Sequence, residues 1–306
     1  QEVAVRIVGS ADGATIDMVA TYGYRTWQPR TAATCPGASP FTGLVGSSPR
    51  PAASWCIYTT SDAPSYAVWT PKAVATFPYA GRTYLIVNDI LGYAQVTLTR
   101  RPAGGQPAKV ADIYLGHENG WPIVNHGGGI AVAGTKLYLA DGKNLRVFDL
   151  MKIGANRDSY GLLQQRVYTS TSNLFTSLYY DAARRQLVAT SYGVDATADR
   201  AITFWSVASN GYLTAPTPTI RPVRTMVTRT TEITGIWTSG STYVLSTAQT
   251  STGRLYVDDT ADGRPPVAYS WVDEPAGLAQ WKDGYLVAMT QPNWRDAAHT
   301  SRTEAT

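Results

Sequence analysis

The chain has 306 residues, of which 44% are hydrophobic and 16% charged, with a formal net charge of +4. That much apolar material with so little charge excludes a disordered or strongly solvated chain, and no apolar run approaches the ~20 residues of a membrane-spanning helix. Positive charges are scattered singly, Arg100-Arg101 and Arg184-Arg185 being the longest runs, whereas nucleic-acid binders gather theirs into a stripe, so nucleic acid is not an expected partner.

Helical periodicity is almost absent. Short runs rich in Val, Ile, Thr, Tyr and Trp alternate with Gly, Asp, Asn and Pro turns, the pattern of an all-β domain. In chain order the first are VAVRIVG at 3–9, TIDMVATYG at 15–23, WCIYTT at 55–60 and YAVWT at 66–70. Between them lies an excursion rich in Pro, Gly and Ser, bracketed by Cys35 and Cys56. No zinc spacing is present. An even cysteine count, few lysines and a loop-rich chain suit an exported protein in which a Cys35–Cys56 disulfide persists. Closing such a loop contributes on the order of 3 kcal/mol; two free buried thiols are the alternative. Gln1 opens directly onto a strand-like segment, so the expectation is a secreted protein whose signal peptide has been removed.

A weak repeat then runs down the chain. Its core is an apolar strand, a Gly/Asp turn, a second strand of the Leu-Tyr-Leu-Ala kind, and a third strand after a longer turn. It appears at 73–99, 127–149, 176–207, 232–258 and 276–290. Leu85, Leu137, Leu187, Val244 and Leu286 are equivalent second-strand positions, spaced by 52, 50, 57 and 42 residues. Such spacing fits the four-stranded blades of a β-propeller better than a sandwich. Fourth, outer strands fall at 111–116, 165–170, 223–228 and 267–272. The fifth repeat runs out of strands, and Trp294 to Thr306 reads as a frayed polar tail. The expectation is therefore one propeller domain over 1–306 with five blades. Residues 1–72 complete the last blade and close the ring, which removes two exposed sheet edges. Six blades is the alternative, with 1–72 forming most of a blade of its own.

The segment HGGGIAVAGTKLYLADGKNLRVFDL, His126 to Leu150, resembles a family of secreted actinobacterial β-propellers whose blades carry His-x-Gly-Gly-Ile, Leu-Tyr-x-Ala-Asp and Arg-Val-Phe-Asp-Leu. WTPKAVATFPYAGRTYLIVNDI at 69–90 is similar to the same family's Trp-x-Pro segment. Members resemble the propeller lectin subunits of large umbrella-shaped antibacterial toxin particles. The resemblance implies glycan or cell-surface recognition and docking to a larger protein scaffold, without catalysis.

Propeller ligands bind near the central channel, where loops leading into each innermost strand meet loops joining second and third strands. A saccharide site needs aromatic rings under sugar faces and carboxylates or amides for the hydroxyls. Trp121, Tyr192 and Trp294 supply the rings; Asp89, Asn125, Asp141 and Glu232 supply the acceptors, with Arg295 beside them. Asp and Asn at such turns also cap their own backbone. His126 precedes three glycines, which let its backbone approach other segments closely; it reads either as a polar group at the channel mouth or as a fixture of its strand.

An enzyme reading is the alternative. A propeller glycoside hydrolase or lyase wants two carboxylates roughly 5–9 Å apart, drawn from Asp89, Asp141, Asp195 and Glu232, with His126 as a base. A structural adaptor carrying a partner peptide is a third. Calcium is the one cofactor left open: Asp258-Asp259-Thr260-Ala261-Asp262-Gly263 faintly resembles a calcium loop, but lacks the alternating oxygen ligands and distal Glu of an EF-hand and reads better as a hairpin turn.

Overall fold

A computed structural model describes residues 2–8, 15–21, 30–31, 53–56, 70–79, 82–90, 94–100, 109–121, 123–124, 128–152, 162–171, 175–191, 200–248, 253–260, 264–271, 275–280, 285–290 and 296–301. At the N-terminal side, β1 (Glu2–Val8) and β2 (Thr15–Thr21) form an antiparallel hairpin, followed by the short β3 (Arg30–Thr31) and β4 (Ala53–Cys56). Among the described residues, five antiparallel runs of four strands follow, the first two joined edge to edge by a short parallel pairing of their outer strands at Leu115–Leu162 and Gly116–Leu163. The first comprises β5 (Thr70–Tyr79), β6 (Arg82–Ile90), β7 (Ala94–Arg100) and β8 (Lys109–Gly116). The second comprises β9 (Ile130–Ala133), β10 (Lys136–Asp141), β11 (Asn144–Asp149) and β12 (Leu162–Ser170). The third comprises β13 (Ser177–Asp181), β14 (Gln186–Thr190), β15 (Arg200–Ser206) and, past the two-residue β16 (Thr219–Ile220), β17 (Arg224–Thr228). The fourth comprises β18 (Ile233–Ser239), β19 (Thr242–Thr247), β20 (Arg254–Asp259) and β21 (Val267–Ser270). The fifth holds β22 (Pro275–Gln280), β23 (Tyr285–Thr290) and β24 (Asp296–Ser301), and its fourth strand is β4.

The first strands of the units, β5, β9, β13, β18 and β22, neighbour one another in that order, and β22 returns to β5. The fold is a β-propeller. The five second-strand positions read from the repeat lie on β6, β10, β14, β19 and β23. The N-terminal strands divide their roles. β4 pairs with β24 in the last unit, whereas β3 pairs with β8 of the first and β1 pairs with β2. The tail expectation is corrected: Asp296–Ser301 is a strand, paired to β23 on one side and β4 on the other. Its text, Asp-Ala-Ala-His-Thr-Ser, has little intrinsic strand preference; pairing on both sides holds it where propensity does not.

The core lies between units, not within any one of them. Along β10, Leu137 and Leu139 pack with the first unit, while Tyr138 and Ala140 pack with the third. Along β14, Leu187 and Ala189 face the second unit and Val188 the fourth. Period-2 alternation thus places apolar side chains on both faces, which is why second strands read as unbroken apolar runs. A fully buried Leu at such a position contributes about 2–5 kcal/mol by the cost of truncation to Ala.

One long connection adds a staple. The segment between β15 and β17 reaches back to the second unit, where the buried Tyr138 hydroxyl donates to the Gly211 carbonyl at 2.6 Å. Burial pushes the Tyr138 hydroxyl pKa well above its ordinary value, so it stays a donor at any physiological pH. Tyr212 lies between Lys136 and Arg166, at 5.1 and 4.8 Å from its ring centre, within cation–π range.

Backbones meet closely where the innermost strands converge. A Cβ on Gly129 would overlap the backbone of Ser177 and Leu178 in the next unit. One on Gly235 would sit 2.6 Å from the Leu278 nitrogen, and one on Gly277 2.9 Å from the Val74 nitrogen. Gly240, by contrast, stands in a hairpin at φ +64° with open space around it. Gly129→Ala is therefore expected to destabilise the fold by about 3 kcal/mol or more through backbone overlap, and Gly240→Ala by only about 1 kcal/mol through backbone conformation. Urea unfolding of both variants checks the order; equal losses would contradict the close approach at Gly129.

Candidate functional site

Backbone bonds extend the β9–β10 and β18–β19 ladders into their lead-in segments, and two others link neighbouring units. Gly129, leading into β9, accepts from the Ala140 amide at 2.9 Å. Gly142, in the β10–β11 hairpin, accepts from the Phe175 amide, leading into β13, at 2.8 Å. Glu232, leading into β18, accepts from the Ala248 amide after β19 at 3.1 Å. Ala94, opening β7, donates to the Ile123 carbonyl at 2.7 Å. The Phe175–Gly142 and Ala94–Ile123 bonds join loops of adjacent units on one side of the sheets.

On that face a polar cluster forms around the second unit. Gly142 takes φ +59° at the first position of a two-residue hairpin, as a type II′ turn requires. The turn pairs Asp141 with Asn144 and Leu139 with Arg146, so Asp141 and Arg146 are diagonal neighbours on one side of the sheet. The Arg146 guanidinium donates to Asp141 Oδ2 through Nε at 2.7 Å and approaches it through Nη2 at 2.6 Å. Its Nη1 donates to Gln164 Oε1 on β12 at 2.7 Å and stands 3.5 Å from His117 Nδ1. The two charged side chains are 14% and 18% exposed, so this ion pair is better shielded from solvent than a surface pair of the usual weak kind. Partial burial, then Arg146, push the His117 pKa below its ordinary 6.5, against the opposing pull of Asp141 and Glu118. Neutral His117 can offer Nδ1 as an acceptor to the guanidinium.

His117 also begins a tight turn. Its amide donates to the Trp121 carbonyl at 2.7 Å, its carbonyl accepts from Gly120 at 2.9 Å, and Asn119 Oδ1 accepts from the Trp121 amide at 3.2 Å. The turn fixes the backbone of Trp121 while leaving its side chain 71% exposed, with Val124 beyond it 59% exposed. An indole held in solvent on a tied backbone, one short turn from a guanidinium–carboxylate pair, can stack on a flat apolar surface while polar groups nearby take hydrogen bonds.

Of the residues expected from the sequence, Asp141 and the Trp121 turn are brought together through His117 and Arg146. Asp89 lies near the same end of its second strand, opposite Pro71 and Gln95. Glu232 adopts φ +52°, in the left-handed region, uncommon for a residue with a side chain. Asn125, His126, Tyr192, Asp195, Trp294 and Arg295 lie outside the described residues, as does Cys35; Cys56 ends β4. Asp258 and Asp259 sit in the β20 strand, opposite Tyr243 and Thr242, while Asp262 and Gly263 are outside the description. Among the described residues, no group of three or more His, Cys, Asp and Glu is placed to hold a metal ion. Arg146 and Gln164 were not among the expected residues. The signal for Arg146 was available, since a two-residue Gly hairpin sets positions five apart diagonally across the sheet.

A second feature occupies the channel. Beyond the glycine contacts, the later halves of β5, β9, β13 and β22 line a cavity of about 360 Å³ running toward the hairpins that join first to second strands. Among the described residues, none of the expected ligand residues lines it.

No protein-family profile and no curated protein sequence matches the chain. Solved structures with a similar strand arrangement include a GH43_1 enzyme from Xanthomonas citri complexed with xylose, 10% identical over 81% of this chain and 89% of that one, with a TM-score of 0.45. The Cps50 (Swd1) β-propeller domain of Myceliophteria thermophila is 14% identical over 75% and 82%, with a TM-score of 0.38. Kuenenia stuttgartiensis hydrazine synthase is 14% identical with a TM-score of 0.40; 76% of this chain aligns and spans 59% of the length of that one. Likeness at this level carries no information on what this chain binds or does.

The His117 arrangement has a pH consequence. A histidine whose pKa is depressed in the folded state favours the neutral form, so its contribution is present above about 6.5 and is lost as pH falls through the lower folded value. The His117 pKa followed by NMR is expected below 6.5 in the native protein and higher in Arg146→Gln, where burial alone is left to oppose Asp141 and Glu118. An unchanged titration in Arg146→Gln would contradict the coupling.

Proposed function

We propose that this propeller is a secreted recognition module that binds carbohydrate on its loop face and docks to a larger protein assembly. The observation that carries the reading is Trp121, 71% exposed on a turn tied to the Arg146–Asp141–Gln164 cluster. Sugar faces are apolar and their edges polar, so an exposed ring beside shielded hydrogen-bonding groups suits them. Docking and secretion rest on the resemblance of His126–Leu150 and of 69–90 to the lectin subunits of secreted toxin particles, with the Cys35–Cys56 pair in support.

The hydrolase alternative has less to stand on. Asp141, one of its carboxylates, already receives two contacts from Arg146 at 2.6 and 2.7 Å, which suits a positioning group better than a proton donor.

A glycan array, followed by titration of the best ligand, tests the reading. Trp121→Ala is expected to weaken binding about tenfold, the scale of one aromatic contact, without loss of fold; Asp141→Asn, which weakens the hold on Arg146, is expected to weaken it as well. Full binding in both variants, or no glycan bound by the native chain, would remove the carbohydrate reading. Turnover of a bound oligosaccharide would replace it with the hydrolase.

A further inference from the structure

The cavity in the channel presents one amide whose orientation is dictated by its neighbours. Gln280 ends β22 and lines the cavity. Its backbone carbonyl accepts from Thr76 Oγ1 of the first unit at 2.6 Å. Its side-chain Oε1 accepts from the Tyr179 hydroxyl of the third unit at 3.0 Å and from the Trp237 indole N–H of the fourth at 3.5 Å. An indole N–H can only donate. The amide oxygen must therefore be the end turned to Trp237 and Tyr179, and the NH₂ group is the end left for the cavity. Gln280 is partly accessible, and its nitrogen is not among the buried side-chain atoms that lack a partner.

Most of the remaining wall is apolar, supplied by residues such as Val74, Ile130, Val132, Leu178 and Ala279, and among the described residues no charged side chain lines it. From this we infer that the cavity is a binding site for a compact uncharged molecule with an apolar body and a single hydrogen-bond-accepting oxygen, seated against the Gln280 amide. The volume, about 360 Å³, lies at the small end of ligand pockets, and few well-placed polar groups in an apolar wall are their usual make-up. A saccharide is a poor occupant, because most of its hydroxyls would lose water against Val, Ile and Leu without replacement partners. Ions are poor occupants because no opposite charge meets them. This site is distinct from the Trp121 face, and neither reading depends on the other.

The test uses the full chain and two matched probes: acetophenone and α-methylstyrene, which replaces the ketone oxygen by a methylene of similar size. Isothermal titration is expected to show acetophenone binding about tenfold more tightly, the scale of one hydrogen bond. Gln280→Glu keeps the acceptor for Tyr179 and Trp237 but replaces the NH₂ donor, and it is expected to abolish that preference. Gln280→Leu provides a second variant without a donor, with the same expectation. Ala182→Trp, at an exposed rim position of the cavity, is expected to weaken both probes by crowding the opening while the glycan titration is unchanged. Failure of both probes to bind at millimolar concentration overturns the site. Equal binding of the two probes by the native chain, or an undiminished ketone preference in folded Gln280→Glu or Gln280→Leu, overturns the role of Gln280.

Discussion

The contact on which the rest of the molecule depends is backbone against backbone at the start of the innermost strands. Gly129 abuts Ser177 and Leu178, Gly235 abuts Gly277 and Leu278, and Gly277 abuts Ala73 and Val74. Each junction joins two different units, so the strands can come this close only where a side chain is missing. Two geometric features accompany this approach. It goes with lead-in segments bonded to strand 2–3 hairpins of the preceding unit, Phe175 to Gly142 and Trp271 to Gly253. It also narrows the channel at that end, leaving the apolar cavity to the later halves of the same strands.

Packing between units follows from the same convergence. Each sheet is apolar on both faces, so a unit alone would expose at least one of them, and only neighbours on either side can cover both. The three clusters of buried residues each span a junction: first to second, second to third, and third through fifth. β4, from the N-terminal part of the chain, covers the outer edge of β24, where an unpaired polar strand would otherwise be exposed to pairing with another chain. The Tyr138–Gly211 bond and the Tyr212 ring between Lys136 and Arg166 tie the second and third units at their outer part, complementing the glycine contacts at the centre.

What the sequence made legible is what periodicity carries. The Leu-Tyr-Leu-Ala runs announce second strands because both faces are buried, and their spacing places the units along the chain. The strand at Asp296–Ser301 was illegible for the opposite reason: its residues have no strand preference of their own, and pairing with β23 and β4 creates it. The splitting of the N-terminal strands between β8, β24 and a separate hairpin was equally hidden, because edge pairing leaves little mark on composition. At the loop face, Asp141 and Trp121 were legible as a turn acid and an exposed ring; Arg146, which organises both neighbourhoods, was legible only through the hairpin register that sets it diagonal to Asp141. Gln280 was invisible, since in the text it reads as the polar residue that ends one strand before a turn. Its meaning comes from Tyr179 and Trp237, 101 and 43 positions away, which only the ring arrangement brings to one place.

The loop-face cluster and the channel therefore have opposite chemistry. Between the outer strands of the first and second units stand a guanidinium, a carboxylate, an amide and a histidine whose pKa is lowered by burial and by Arg146, with an indole in solvent beside them; along the innermost strands stands an apolar wall with an oriented amide. Strand β13 touches both regions. Its Ser177 and Leu178 meet the Gly129 constriction, and the next residue, Tyr179, holds Gln280. A shift of β13 along its axis would alter the packing against Gly129 and the hydrogen bond on Gln280 together, because the two contacts lie on consecutive residues of one rigid element. Gly129, bonded to Ala140 next to Asp141, extends that line to the loop-face cluster. Because Leu178 and Tyr179 are consecutive on β13, the position of that one strand sets both the close contact at Gly129 and the orientation of the Gln280 amide.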